Sequence, residues 1–150
     1  MIARLVVAAL LVIVAAVIAW RLRAQAQPDP VRASGEVPRQ IHRVDFPRAD
    51  APWLVVIFSS ATCDSCVVMK SKVAVLECAE VATCEVEFAA DRALHERYAI
   101  DSVPLVVVAD AEGVTRAAFL GPTSATDLWA ALAELRRPGS TPEPELGRLA

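Results

Sequence analysis

Successive hydrophobic patterns divide this chain. From Leu5 to Trp20 every residue is apolar, with Arg4 before the run and Arg21 and Arg23 after it. Extended through Leu22 and the aliphatic arms of the flanking arginines, a helix of about 20 residues would cross a hydrocarbon layer about 30 Å thick. Trp20 then falls at the interface, where an indole ring is favoured. The pattern predicts a transmembrane anchor over 1–23. A cleaved signal peptide is the competing reading, because Ala24-Gln25-Ala26 has the small-x-small form that a signal peptidase accepts. The apolar run is longer than the usual core of about 7–15 residues, and two arginines separate it from that site, which favours the anchor. A buried soluble helix would need a polar face, and the run has none.

Residues 24–40, with Pro28, Pro30, Gly35 and Pro38 among polar side chains, follow neither helical nor strand period and read as a linker. Ile41–Asp45 could form a short edge strand. Trp53-Leu-Val-Val-Ile-Phe58 is a continuous, largely β-branched run, the pattern of a strand buried on both faces. Val67, Val68, Met69, Val73, Leu76 and Ala79 recur near helical spacing, which predicts a helix from Asp64 to about Val81. Cys84, Val86 and Phe88 alternate with Glu85 and Glu87, the period of a strand with one wetter face. A short helix capped by Asp91 follows to Tyr98. Pro104–Ala109 and Val114–Leu120 read as two strands joined by a turn at Asp110–Gly113. Ser124 is placed to cap a last helix, whose stripe is Leu128, Ala131, Leu132 and Leu135. Pro138–Ala150 lacks the apolar content to fold and reads as a loose tail. The units are thus an anchor (1–23), a linker (24–40), one domain (41–137) and a tail (138–150). The order of elements predicts an α/β domain, with helices on both faces of a mixed sheet of four to five strands.

At 150 residues the chain has room for one such domain with a full core. A formal net charge of -3, with no basic block, excludes nucleic acid as a partner. Arg21, Arg23 and Arg32, offset by Asp29, outweigh Arg4 by about one charge, which leans the C-terminal domain towards the cytoplasmic face. His42 and His95 are single histidines in polar surroundings, and both read as surface residues. Trp53, Trp129 and Met69 read as core. Glu85 and Glu87 read as a solvated strand face.

The cysteines change the picture. Cys63-Asp64-Ser65-Cys66 stands where the buried strand gives way to a helix. Two thiols at that spacing and junction suit disulfide exchange. Cys63, at the helix start, would have its thiolate stabilised by free backbone N–H groups and would attack; Cys66, one turn further in, would resolve the mixed disulfide. The bland alternative is a stable disulfide or inert thiols in a fold kept for binding. Zinc is a third reading, since Cys63, Cys66, Cys78 and Cys84 are four candidate ligands. The predicted helix sets the two pairs about 20 Å apart, far beyond a Zn–S bond of about 2.3 Å, so no metal is expected. Cys78 and Cys84 read either as small core residues or as a second disulfide pinning the helix–strand loop.

These landmarks together resemble the thioredoxin superfamily over about Ile41–Arg137. The resemblance rests on the strand leading into Cys63-Asp64-Ser65-Cys66, on Tyr98-Ala-Ile100-Asp-Ser-Val103-Pro104, which is similar to the family's Tyr-Gly-Ile-x-x-Ile/Val-Pro loop, on the turn ending in Gly113, and on Gly121. It implies a three-layer thioredoxin-like fold, a cis peptide before Pro104, and a substrate groove formed by Thr62, Val103, Pro104 and Gly121. It implies no cofactor, protein or small-molecule disulfide or dithiol substrates, and an upstream redox partner. The chain departs from the family in having Thr62 before the first cysteine and Asp64-Ser65 inside the pair. Ile57 stands where members often bury an aspartate, and a full first helix is missing. Asp64 beside the thiolate disfavours it, which points to a more reducing couple. The expected function is a membrane-anchored thiol–disulfide oxidoreductase. Its rival is a non-catalytic thioredoxin-fold binding or assembly module.

Overall fold

A computed structural model describes residues 36–142 together with Val17 and Gly147. The chain divides between Ala33 and Ser34, and the sheet and its helices all belong to the second unit. Apart from Val17, the predicted anchor lies outside the described residues, as does most of the linker. Among the described residues no helix is long and apolar enough to cross a membrane.

Four strands, β1 (Trp53–Ser59), β2 (Val81–Glu87), β3 (Leu105–Ala109) and β4 (Thr115–Leu120), form a mixed sheet in the order β2-β1-β3-β4. β1 runs parallel to β2 and antiparallel to β3, and β3 runs antiparallel to β4. The helices are α1 (Asp64–Ala74), α2 (Arg92–Arg97) and α3 (Ala125–Arg136). β1 and β3 hold the centre because both of their faces are apolar. Leu54, Val56, Phe58, Leu105 and Val107 join Tyr98, Phe46 and Ile41 in one core layer. Val55, Ile57, Val106 and Val108 pack with Met69 and Val73 of α1 and Leu128, Ala131 and Leu132 of α3 in the other. The expectation of helices on both faces of a mixed sheet is met, with four strands.

Several local readings change. Ile41–Asp45 is not an edge strand: Gln40 makes one antiparallel bridge with Val114, and Arg43–Asp45 forms a 3-10 turn. The reason is Arg43, whose buried guanidinium donates to the carbonyls of Asp110 (2.8 Å), Ala51 (2.8 Å) and Arg48 (3.2 Å) and folds the segment over the sheet end. Gly113, at φ 80°, is required there, since a Cβ would lie 2.0 Å from the Ile41 carbonyl oxygen. No helix precedes β1 among the described residues, apart from that 3-10 turn. α1 stops at Ala74, well short of Val81, where Cys78 and Val81 pair in a tight loop. Glu77 holds that loop by accepting from the Thr83 amide (2.6 Å) and hydroxyl (2.7 Å) and from Arg48.

Ser124 caps α3 as expected, accepting from the Asp127 amide at 3.0 Å. Asp91 occupies the N-cap of α2, but its side chain makes no capping bond. Trp129 is not core: it is 44% exposed, and its Nε1 donates to the Lys72 carbonyl. His95 is not a surface residue. It is buried, edge-on to both Phe58 and Phe88, with Nε2 bonded to the Val86 carbonyl at 3.0 Å. The residues after α3 are fastened by Glu134, whose carboxylate accepts from the amides of Gly139, Ser140 and Thr141.

Candidate active site

The strand directions bring four loops to one end of the sheet. β1 ends at Ser59 beside the end of β2 at Glu87. Leu105, at the start of β3, pairs with Phe58 on one side and with Leu120, at the end of β4, on the other. Residues 60–63, 88–91, 103–104 and 121–123 therefore share that end. Cys63, Cys66, Thr62, Val103, Pro104 and Gly121 all belong to these loops or to the first turn of α1. Cys78 and Cys84 do not.

Cys63 and Cys66 are joined in a disulfide, with S–S 2.16 Å and Cα–Cα 5.3 Å. Cys63 is the N-cap of α1. Its Sγ accepts from the Cys66 amide at 3.2 Å and lies 3.4 Å from the Ser65 hydroxyl. A helix start leaves amides without partners, and here one of them serves the sulfur that would carry negative charge. Cys63 is half-exposed, whereas Cys66 is 1% exposed. Cys63 is thus the more accessible residue of the pair, and Cys66 is buried beneath it.

The peptide between Val103 and Pro104 is cis. The Pro104 carbonyl accepts from the Gly121 amide at 2.8 Å, which ties the proline loop to the end of β4. Gly121 has φ 86° in open space, a backbone that disfavours other residues even without a clash. Two residues on, the Thr123 amide donates to the Met69 sulfur (3.4 Å) and its carbonyl accepts from Lys72 Nζ (2.5 Å), so this loop is also tied to α1. Thr62 shares a hydroxyl bond with Ser60 at 3.0 Å. The Cys63 amide closes a turn onto the Ser60 carbonyl at 3.1 Å.

Two carboxylates that the alternating pattern assigns to a solvated face, Glu85 and Glu87, belong to this end of the sheet. Glu85 pairs in register with Ile57, accepts from the buried Ser59 hydroxyl (2.6 Å) and forms an ion pair with Lys70 of α1 (2.8 Å). Glu87 accepts from three backbone amides, Ala61 at 3.0 Å, Ala89 at 2.8 Å and Ala90 at 2.9 Å. These bonds, with that from Ala90 foremost, hold its carboxyl below the usual range. The only signal in the sequence was an acid closing a strand just before small turn residues, which is common on any surface. Ile57 itself is buried among apolar residues of the α1 layer.

The second cysteine pair is not bonded. Cys78 is exposed, Cys84 is half-buried, and both are free thiols. Burial, followed by the nearby Asp91 and Glu85 charges, pushes the Cys84 thiol up, which makes it a poor nucleophile. Among the described residues no group of three His, Cys, Asp or Glu side chains converges on a common point.

No sequence-family profile matches the chain, and no curated protein matches it by sequence. Solved structures do. The germline-specific thioredoxin protein Deadhead from Drosophila melanogaster superposes with a TM-score of 0.51 at 26% identity, over 58% of this chain and 84% of that one. Thioredoxin-2, described as a component of the malaria parasite protein secretion machinery, superposes with a TM-score of 0.50 at 16% identity, over 55% of this chain and 82% of that one. The second likeness bears on the fold alone. These likenesses show the fold: the chain, with its four-stranded mixed sheet, its cysteine pair at the head of α1 and its cis Val103–Pro104 peptide, is a thioredoxin-fold protein.

Proposed function

We propose that this chain is a thiol–disulfide oxidoreductase held at a membrane by residues 1–23. The observation that carries the reading is the inequality of the two sulfurs: Cys63 is half-exposed at the head of α1 with an amide aimed at its sulfur, and Cys66 is buried. In the reduced chain the Cys63 thiolate attacks one sulfur of a substrate disulfide. A Cys63–substrate disulfide forms, and the other substrate sulfur leaves as a thiolate that takes up a proton. Cys66 then loses its proton and attacks Cys63 Sγ, releasing the second substrate thiol and closing Cys63–Cys66. Two electrons pass from the chain to the substrate. An upstream dithiol returns them by the same steps in reverse. Asp64 in the first turn opposes charge on Cys63 and favours a reducing couple.

The test is thiol trapping after reduction with dithiothreitol and exposure to disulfide-containing protein. Cys66→Ser should accumulate mixed disulfides through Cys63, while the wild type should not. A chain whose Cys63 labels identically under every redox buffer is not an oxidoreductase, and the binding-module reading then replaces this one. The anchor is supported by the apolar run Leu5–Trp20 and its flanking arginines. Carbonate extraction of membranes should leave the full chain in the pellet, and release into the supernatant would remove the anchor from the proposal. The arginines lean the domain to the cytoplasmic face. Its protease resistance in intact cells and digestion in lysed ones would bear that out.

A further inference from the structure

Glu87 makes bonds that a surface carboxylate has no need of. It stands at the end of β2, and its two oxygens take three backbone amides from two different loops. Ala89 and Ala90 belong to the turn that leads into α2. Ala61 belongs to the turn that leads into Cys63, two residues away. Next to this carboxylate bridge, the Phe88 amide donates to the Ser59 carbonyl at 2.9 Å, so the two loops are joined on both sides of Glu87. Ala61 is exposed, and only this carboxylate accepts its amide among the hydrogen bonds of that loop.

Resting on the oxidoreductase reading above, we infer that Glu87 is a positioning residue for the redox pair, which holds the Cys63 turn against the β2–α2 turn and so favours the closed disulfide. A carboxylate suits the task because it only accepts, at two atoms. Glutamine has one acceptor, and its amide nitrogen would face one of the N–H groups. The same carboxylate affects the pair in two ways, and both act in one direction. Fixing Ala61 limits the motion of Cys63 relative to Cys66, which raises the effective concentration of one thiol at the other. Its negative charge beside the loop disfavours the Cys63 thiolate. Without it, both effects move the equilibrium from disulfide to dithiol.

The experiment equilibrates the full chain with mixtures of reduced and oxidised glutathione, where two glutathione thiols reduce Cys63–Cys66 and leave as glutathione disulfide. Acid quenching and thiol trapping read the ratio. Amide hydrogen exchange of the oxidised chain reads Ala61. Glu87→Gln should shift the equilibrium by about threefold or more towards the dithiol and speed Ala61 exchange by about tenfold, with the amides of Val55–Phe58 unaffected. Glu134→Gln is the control. It removes an equivalent carboxylate bound to three amides at the C-terminal end of α3, at the opposite end of the sheet from Cys63 and Cys66, and should leave the redox ratio where it is. A wild-type ratio in Glu87→Gln, or an equal shift in Glu134→Gln, overturns the inference while the oxidoreductase reading stands. If the wild-type pair forms no disulfide at any glutathione ratio, both fall together. Should Glu87→Gln not fold, wild-type exchange decides: protection at Ala61 supports the tether, and exchange as fast as in a free peptide removes it.

Discussion

Ala99 sits at φ 53°, in the left-handed region, between Tyr98 and Ile100. The loop it resembles has glycine at this position. A Cβ in that conformation costs about 1–2 kcal/mol, part of which glycine gives back through its freer unfolded chain. Ala99→Gly should therefore raise stability by about 0.5–1 kcal/mol in urea unfolding, and a loss would show that the neighbours of Ala99 select the methyl group. Tyr98 beside it works through its hydroxyl, which donates to Asp45 and accepts from the His42 amide at 3.0 Å. That hydroxyl first, and then Arg97, hold the Asp45 carboxyl below its usual value. A carboxyl depressed in the folded state stabilises it fully above the unfolded value, near pH 4, and the contribution disappears as pH falls through the folded value. Tyr98→Phe should cost about 1–2 kcal/mol at pH 7, and the gap from wild type should narrow below about pH 4. A gap that stays constant with pH would mean that the cost lies in packing against Phe46 rather than in the charge.

At the scale of elements, what could be read from the sequence depended on how local the cause was. β1, β3, β4 and α3 were legible because their patterns are complete within a few residues: a β-branched run, a turn with Gly113, a capping serine. α1 was overextended because Leu76 and Ala79 keep a near-helical spacing, while the Glu77–Thr83 clamp that ends it is formed by a later strand. The segment 41–45 has strand-like composition, but one buried side chain decides its course. Arg43 reaches three carbonyls, two in the segment just after its own turn and one in the β3–β4 turn. Its removal takes the donor from the Ala51 carbonyl and leaves those of Asp110 and Arg48 with only the Gly113 and Ala51 amides, so Arg43→Ala should cost about 1–3 kcal/mol. Differential scanning calorimetry would measure this; a cost under about 0.5 kcal/mol would mean that water replaces the guanidinium. The burial of His95 escapes the sequence for a related reason. Neighbouring residues show polarity, but which side of a short helix meets Phe58 and Phe88 is set by the whole fold.

Across the molecule, the redox end was legible as residue types but not as an assembly. The cysteine pair, the proline loop and Gly121 could each be picked out along the chain. Their meeting depends on the antiparallel turn back of β3 and β4, and the carboxylate that joins two of the loops carries no mark of its own in the sequence. Glu77, Glu87 and Glu134 share the behaviour of Asp45, since hydrogen bonds hold all four carboxyls low. Acid should therefore loosen the domain at several loops as pH falls below about 4, not at one site. Amide exchange followed from neutral to acid pH would check this, and loosening confined to one of those loops would contradict it.

The bridge from Gln40 to Val114 has a further consequence. With the Ile41 amide on the Gly113 carbonyl and Thr115 bonded to the carbonyls of Pro38 and Arg39, it fastens the start of the domain beside the β3–β4 turn. That turn lies at the far end of the sheet from Cys63. A substitution that breaks these bonds therefore acts on the domain at the end of the sheet opposite the disulfide, and leaves the bonds around Cys63 and Cys66 in place.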